Sequence, residues 1–333
     1  MGDRNLLGPW IRRFLLEHLV AERNFSRNTQ LSYRDTLTLL LPFAGARTGT
    51  PLDRMTVPEL TPDTVRAFLK HVECERGCGP ATRNLRLSTI HSLARFIGMR
   101  SPEHLAWCTE LRCIPFKKSA KAVIGYLDKP EMDALLQQPD RRAPLGARDH
   151  ALLLFLYNSG ARADEAAQLT VGCLNVGTSA SVRILGKGNK LRICPLWPET
   201  VVALRPLIAG RDPPHNVFRG RTGESLTRFG VHRIVTSYAT LASSQVPALQ
   251  TKRVSPHTIR HTAAVHLLRS GVDINTIRAW LGHVSLDTTH VYAEVDFEMK
   301  AKALACLDTV GPPPQSRRQS TTLPSLMKFL QGL

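Results

Sequence analysis

Six side chains, far apart in a chain of 333 residues, are of types suited to work at a phosphodiester: Arg162, Lys187, His257, Arg260, His283 and Tyr292. Attack on such a linkage builds negative charge on the nonbridging oxygens, so fixed positive donors should surround them. Arginine fits because its planar guanidinium offers paired donors and stays protonated. Arg162 and Arg260 together could clamp one phosphate. His257 and Arg260 stand three apart and share a helix face. They open that helix, where backbone N–H groups without helical partners favour an anion. Tyr292 is a reasonable attacking group, since exchanging a phosphodiester for a phosphotyrosyl ester conserves the bond for rejoining. A phenol titrates near 10 when unperturbed and must lose its proton to a base during attack. Lys187, on a turn, could protonate the leaving 5′ oxygen. No aspartates suited to Mg²⁺ accompany the set, which argues against a metal-dependent nuclease.

Taken singly, each residue has a plainer role. A lone loop arginine is usually solvated or capping, a turn lysine merely polar, a tyrosine a core-edge aromatic. His283, after Leu281-Gly282, could be a helix C-cap residue. His261 and His266 read as structural histidines on a helix side with Ala264 and Leu268. Glu165, in Gly160-Ala161-Arg162-Ala163-Asp164-Glu165, is placed to support the site.

The elements that must position these residues are mostly helical. Trp10, Phe14, Leu15 and Leu19 recur at helical spacing, as do Leu37, Leu40, Leu41 and Ala44. Ser26 caps a helix carrying Thr29, Tyr33 and Arg34, and Thr61-Pro62-Asp63 opens another through Val65, Phe68 and Leu69. A fourth is expected over 81–97, with Leu85, Ile90, Leu93 and Phe96 inward and Arg83, Arg86 and Arg95 outward. Those arginines form either a solvated face or a contact to a polyanionic backbone. The basic stretch with Pro115, Lys117, Lys118 and Lys121 reads as a linker that could lie along DNA. Asp128 with Glu131 makes a capping box that starts a second domain.

Within the second domain, Ala151 to Tyr157 is a buried helix stopped by Asn158-Ser159-Gly160. Val182, Ile184, Leu191 and Ile193 alternate around Gly186-Lys187-Gly188-Asn189, which predicts a β-hairpin with Lys187 at its turn. Ser255 and Pro256 start a helix that runs to Gly271; another covers 274–281, and a short one about 286–295 bears Tyr292. The expected domains are 1–116, a linker 117–127, 128–310, and a Pro-rich spacer with a small amphipathic terminal helix over 311–333.

Lys plus Arg total 44 against 27 Asp plus Glu, a net charge of +17, which favours a polyanionic partner through counterion release. No stretch approaches the roughly 20 apolar residues that span a bilayer. The first thirteen residues lack a signal-peptide core. A cytoplasmic protein is expected. The seven scattered cysteines lack paired zinc-site spacing and read as free thiols.

Order and spacing join these features. An Arg after a Gly-containing turn, a hairpin Lys, His257-x-x-Arg260, Leu281-Gly282-His283 and a Tyr nine residues later together resemble the tyrosine recombinases, the integrases and Xer-type resolvases. The resemblance implies a mainly α fold with a small β-sheet: a helical, SAM-like core-binding domain and a mixed α/β catalytic domain, closing as a C-shaped clamp on DNA. It implies that Arg162 and Arg260 hold the scissile phosphate, with His257 and His283 hydrogen-bonding or moving protons. Lys187 would be general acid, Tyr292 the nucleophile of a 3′-phosphotyrosyl bond, and Glu165 a support. No metal or nucleotide cofactor is implied. The resemblance further implies double-stranded DNA at a specific site as the partner, and strand exchange in a tetramer whose terminal helices dock on neighbours. Two other readings share parts of this pattern, a type IB topoisomerase and a DNA-binding accessory protein without catalysis. Departures are few: Ala161 where leucine is common, Val284 where a small polar residue is frequent, and the Pro-rich spacer.

Overall fold

The computed structural model describes residues 5–118, 125–186 and 190–282. The chain divides into two compact units, Met1–Ala122 and Val123–Leu333. Three of the candidate residues, Lys187, His283 and Tyr292, lie outside the described residues, as do Lys121, the short helix expected over 286–295 and the terminal helix.

The first unit is helical: α1 (Leu7–Arg13), a π-helical continuation (Phe14–Glu22), α2 (Arg27–Thr48), α3 (Pro62–Cys74), α4 (Pro80–Gly98) and α5 (Leu105–Arg112). The π-helical turn follows the apolar residues. Phe14 and Leu19 are five apart and both fully buried, a spacing that bonds such as Arg23 N–H to the His18 carbonyl accommodate. Ser26 and Thr61 cap α2 and α3 through their side-chain oxygens, as their positions before helical runs predict.

Helix α4 differs from expectation. Ile90, Leu93 and Phe96 are buried as expected, but the buried face also takes Arg83, Leu87, Ala94 and Ile97, and Leu85 points out at 51% exposure. Arg83 therefore lies in the buried stripe and not on the outer face. Its Nη1 donates to the Pro115 carbonyl at 2.8 Å and to Asn84 Oδ1 at 3.1 Å.

The second unit holds α6 (Lys129–Gln137), α7 (Pro144–Ser159), α8 (Ala163–Ala167), β1 (Leu174–Asn175), β2 (Ser181–Leu185), β3 (Leu191–Pro195), α9 (Pro198–Ile208), α10 (Arg228–Ser243), α11 (Pro256–Arg269) and α12 (Ile274–Leu281). The strands form one antiparallel sheet in the order β1-β2-β3. Helix α7 is central, buried continuously from Asp149 to Ser159, and packs against both α9 and α11. At the start of this unit Glu131 accepts from the Asp128 N–H at 2.7 Å, the reach-back half of a capping box. Leu127, assigned from sequence to the linker, is fully buried in this core, and its N–H donates to Thr262 Oγ1 at 2.9 Å.

The expected hairpin strands pair, β2 antiparallel to β3. Val182 pairs with Cys194 and Ile184 with Arg192, and these four face inward. Leu191 and Ile193 face out, at 61% and 63% exposure. Strands β2 and β3 each alternate with period two, but the inward set on β3 is Arg192 and Cys194. None of the described helices is long and apolar enough to cross a membrane.

Candidate active site at the α8 and α11 N-termini

Helix α7 ends at Gly160, whose φ of +58° reverses the chain with little strain for glycine alone. Space imposes the same choice: a methyl carbon at Gly160 would stand 2.4 Å from Leu281 Cδ2. The turn delivers Arg162 to the start of α8, where Glu165 accepts from the Arg162 N–H at 2.9 Å and from its Nη1 at 2.7 Å. The Arg162 side chain remains 39% exposed.

Arg260 approaches the same turn from α11. Ser255 caps that helix by accepting from the Thr258 N–H, and Pro256 occupies the first helical position, where no N–H is needed. Arg260 is 1% exposed. Its Nη1 donates to the Gly160 carbonyl at 2.5 Å and its Nη2 to the Leu281 carbonyl at 2.7 Å. One guanidinium thus ties the end of α7 to the end of α12.

Arg162, His257 and Arg260 line one cleft of about 540 Å³, together with Arg228 and Phe229 of α10, His232, Arg253 and Asp164. Among the described residues four arginines and a single carboxylate line the cavity, an excess of positive charge suited to an anion. Desolvation in the cleft, then the charges of Arg260 and Arg162, draw the His257 imidazole below its ordinary value of 6.5. The His261 ring stands edge-on to His257 at a centroid distance of 4.2 Å.

Sequence reasoning missed Arg192. Its side chain is 6% exposed and its Nη2 donates to Glu165 Oε2 at 2.7 Å. Glu165 therefore lies between two guanidinium groups. Burial alone would raise its carboxyl; the Arg192 bond and charge, with the Arg162 bonds, outweigh that and hold it at about 2. The missed signal was the inward phase of β3. Asn158 was also missed: its side chain bonds the Pro195 carbonyl and the Trp197 N–H, and its own carbonyl accepts from Trp280 Nε1. That buried amide joins α7 to the β3–α9 junction and to α12. His266 accords with a structural role, its Nδ1 lying 2.7 Å from the Tyr157 hydroxyl, in a contact between α11 and α7.

The basic residues of the first unit divide. Arg83 is buried, Arg86 donates to Thr36 Oγ1 at 2.9 Å, and Lys117 pairs with Glu73 at 2.8 Å. Lys118 is exposed.

A model of the phage integrase family matches residues 125–299, and a model of the phage integrase N-terminal SAM-like domain matches residues 11–100. A protein with an integrase/recombinase name, y4rC of Sinorhizobium fredii, is 37% identical over 98% of this chain and 98% of its own. Tyrosine recombinase XerC of Pelotomaculum thermopropionicum is 30% identical over 86% of this chain and 94% of its own. Among solved structures, the Tn1549 transposon integrase in complex with a circular intermediate DNA superposes with a TM-score of 0.67, at 14% identity, over 89% of this chain and 98% of that one. XerH site-specific recombinase bound to a palindromic difH substrate gives 0.63, at 20% identity, over 82% of this chain and 79% of that one.

Proposed function

Because the chain belongs to the phage integrase family and is a tyrosine-type site-specific recombinase, we propose that the cleft of Arg162, His257 and Arg260 receives the scissile phosphate of a double-stranded DNA site. The observation that carries this reading is convergence. Two arginines separated by nearly a hundred positions meet at the Gly160 turn, with the His257 imidazole lining the same cleft.

In this reading the Tyr292 oxygen attacks phosphorus, the bond from phosphorus to the 5′ oxygen breaks, and a 3′-phosphotyrosyl ester forms. Lys187 gives a proton to the leaving oxygen. His257, whose cleft environment favours the uncharged imidazole, takes the phenolic proton or hydrogen-bonds a phosphate oxygen, as His283 does from its own position in the set. Arg162 and Arg260 balance the charge that builds in between. Reversal by the 5′ hydroxyl of another strand completes exchange and conserves the number of phosphodiester bonds, so no energy-supplying cofactor is required. Two duplexes have four strands and each copy supplies one Tyr292, which supports a tetramer as the acting form. In the first unit, read as the core-binding domain, we assign Lys118 to the DNA backbone.

The test is covalent capture. Nicked duplexes tiled across the DNA flanking its own gene should trap the protein at a defined position, and Tyr292→Phe should abolish the adduct while leaving DNA binding intact. An adduct that survives this substitution places the nucleophile elsewhere.

A further inference from the structure

Arg192 has no place in the chemistry just described, yet it occupies the middle of the site's scaffold. It is the inward residue of β3 opposite Ile184. Its Nη2 bonds the same carboxylate oxygen, Glu165 Oε2, that accepts from the Arg162 N–H. A methyl carbon at Gly186 would stand 3.4 Å from Arg192 Nη1, and one at Gly282 would stand 3.2 Å from its Cδ. One buried side chain therefore touches the carboxylate that holds Arg162, the residue before Lys187 in the chain, and the residue before His283.

This placement is costly. Removing a guanidinium from water is expensive even when it is paired, and an apolar residue of similar volume often serves stability as well or better. The inward neighbours Ile184 and Cys194 show that the layer accepts apolar groups. Arg192 Nε is buried and has no hydrogen-bond partner among the described residues, an unmet donor that an apolar side chain would not bring. Packing alone does not account for arginine here; orientation does. Glu165 bonded only to Arg162, a side chain 39% exposed, could swing with it. Bonded also to a cation fixed in the sheet, the carboxylate becomes a rigid bracket for Arg162.

We propose that Arg192 is a positioning residue of strand transfer: through Glu165 it fixes the direction in which Arg162 meets the phosphate, and it spaces the two glycines that precede Lys187 and His283. This rests on the reading of the cleft given above. It also predicts that loss of Arg192 acts through Arg162 and not through DNA affinity.

The test compares full-length wild type, R192M, R192K, R162K and R162K/R192M on a nicked duplex carrying the cleavage position mapped for the wild type. For R192M, the single-turnover rate of adduct formation should fall about 100-fold, the scale expected for a misplaced group, with the DNA dissociation constant within about threefold. R192K, which restores a charge to Glu165, should recover to within about tenfold of wild type. R192M should add little in the R162K background, because residues acting as one unit are non-additive. Multiplicative losses, or a loss carried wholly by DNA affinity, overturn the proposal.

Circular dichroism checks the fold; if R192M is unfolded, a folded R192K slowed about 100-fold or more is likewise contrary, since a restored charge should rescue. Inorganic pyrophosphate serves as a probe that needs no DNA site. Its affinity, read by thermal shift, should drop about tenfold in R192M and much less in R192K, and equal affinities in all three chains overturn the role. Arg192-dependent pyrophosphate binding without any wild-type adduct would remove the strand-transfer reading and leave the bracket standing.

Discussion

Replacing Glu165 with glutamine tests the electrostatic centre of the second unit. The wild-type carboxylate accepts from Arg192 Nη2, Arg162 Nη1 and the Arg162 N–H, all within 2.9 Å, and is nearly enclosed. A carboxyl that titrates near 4.5 in the unfolded chain and at about 2 in the folded one contributes about 3 kcal/mol of stability at neutral pH. Glutamine keeps the shape and can accept hydrogen bonds, but leaves two guanidinium groups without their shared anion. Urea unfolding at pH 7 should therefore show Glu165→Gln less stable by about 3 kcal/mol, within the range for breaking a buried pair. Because the folded value lies below the unfolded one, this contribution is complete above about 4.5 and is lost as pH falls towards 2. The gap between the two proteins should narrow over that window, while other carboxylates cancel in the difference. A gap that stays constant from pH 7 down to pH 3 would refute the ion-pair account and point to a packing defect.

Three further outcomes are expected. Gly160→Ala combines a left-handed backbone with a methyl carbon 2.4 Å from Leu281 Cδ2, so it should lower stability by about 2–4 kcal/mol and slow adduct formation; a neutral effect on unfolding would contradict the geometry. Since burial and two arginines draw His257 below 6.5, the acid limb of adduct formation should lie below pH 6.5 and flatten in His257→Asn, and a limb above 6.5 is inconsistent with that environment. In the first unit, Lys118→Gln should reduce the salt slope of DNA binding by about one, whereas Arg83→Gln should lower the unfolding midpoint with little change in slope; the reverse pattern would mean that their exposures do not decide their roles.

Helix boundaries were legible where a local signal sets them. Ser26, Thr61 and Ser255 accept from N–H groups three residues on, and Gly160 and Gly282 end their helices in the left-handed region. The convergence of Arg162 and Arg260 was legible only as a resemblance, because the contact through the Gly160 carbonyl spans a hundred positions. What sequence reasoning did not reach was the inward phase of β3. Apolar alternation at Leu191 and Ile193 marks an inward face only if no charge is buried there, and Arg192 is buried because Glu165, 27 residues earlier, receives it. Leu85 was placed inward and Arg83 outward for the same reason: the Pro115 carbonyl that makes an inward arginine tolerable is 32 residues away.

The acceptors of Arg260 carry a consequence for evolution. Two of them are main-chain carbonyls, of Gly160 and Leu281. No codon change at either position deletes a carbonyl oxygen, so drift can abolish this cradle only by displacing the peptide itself. A carbonyl is moreover a dipole with no net charge: it steers the guanidinium without neutralising it, as a carboxylate would. These two anchors of the arginine are thus written into the path of the backbone and leave its charge intact.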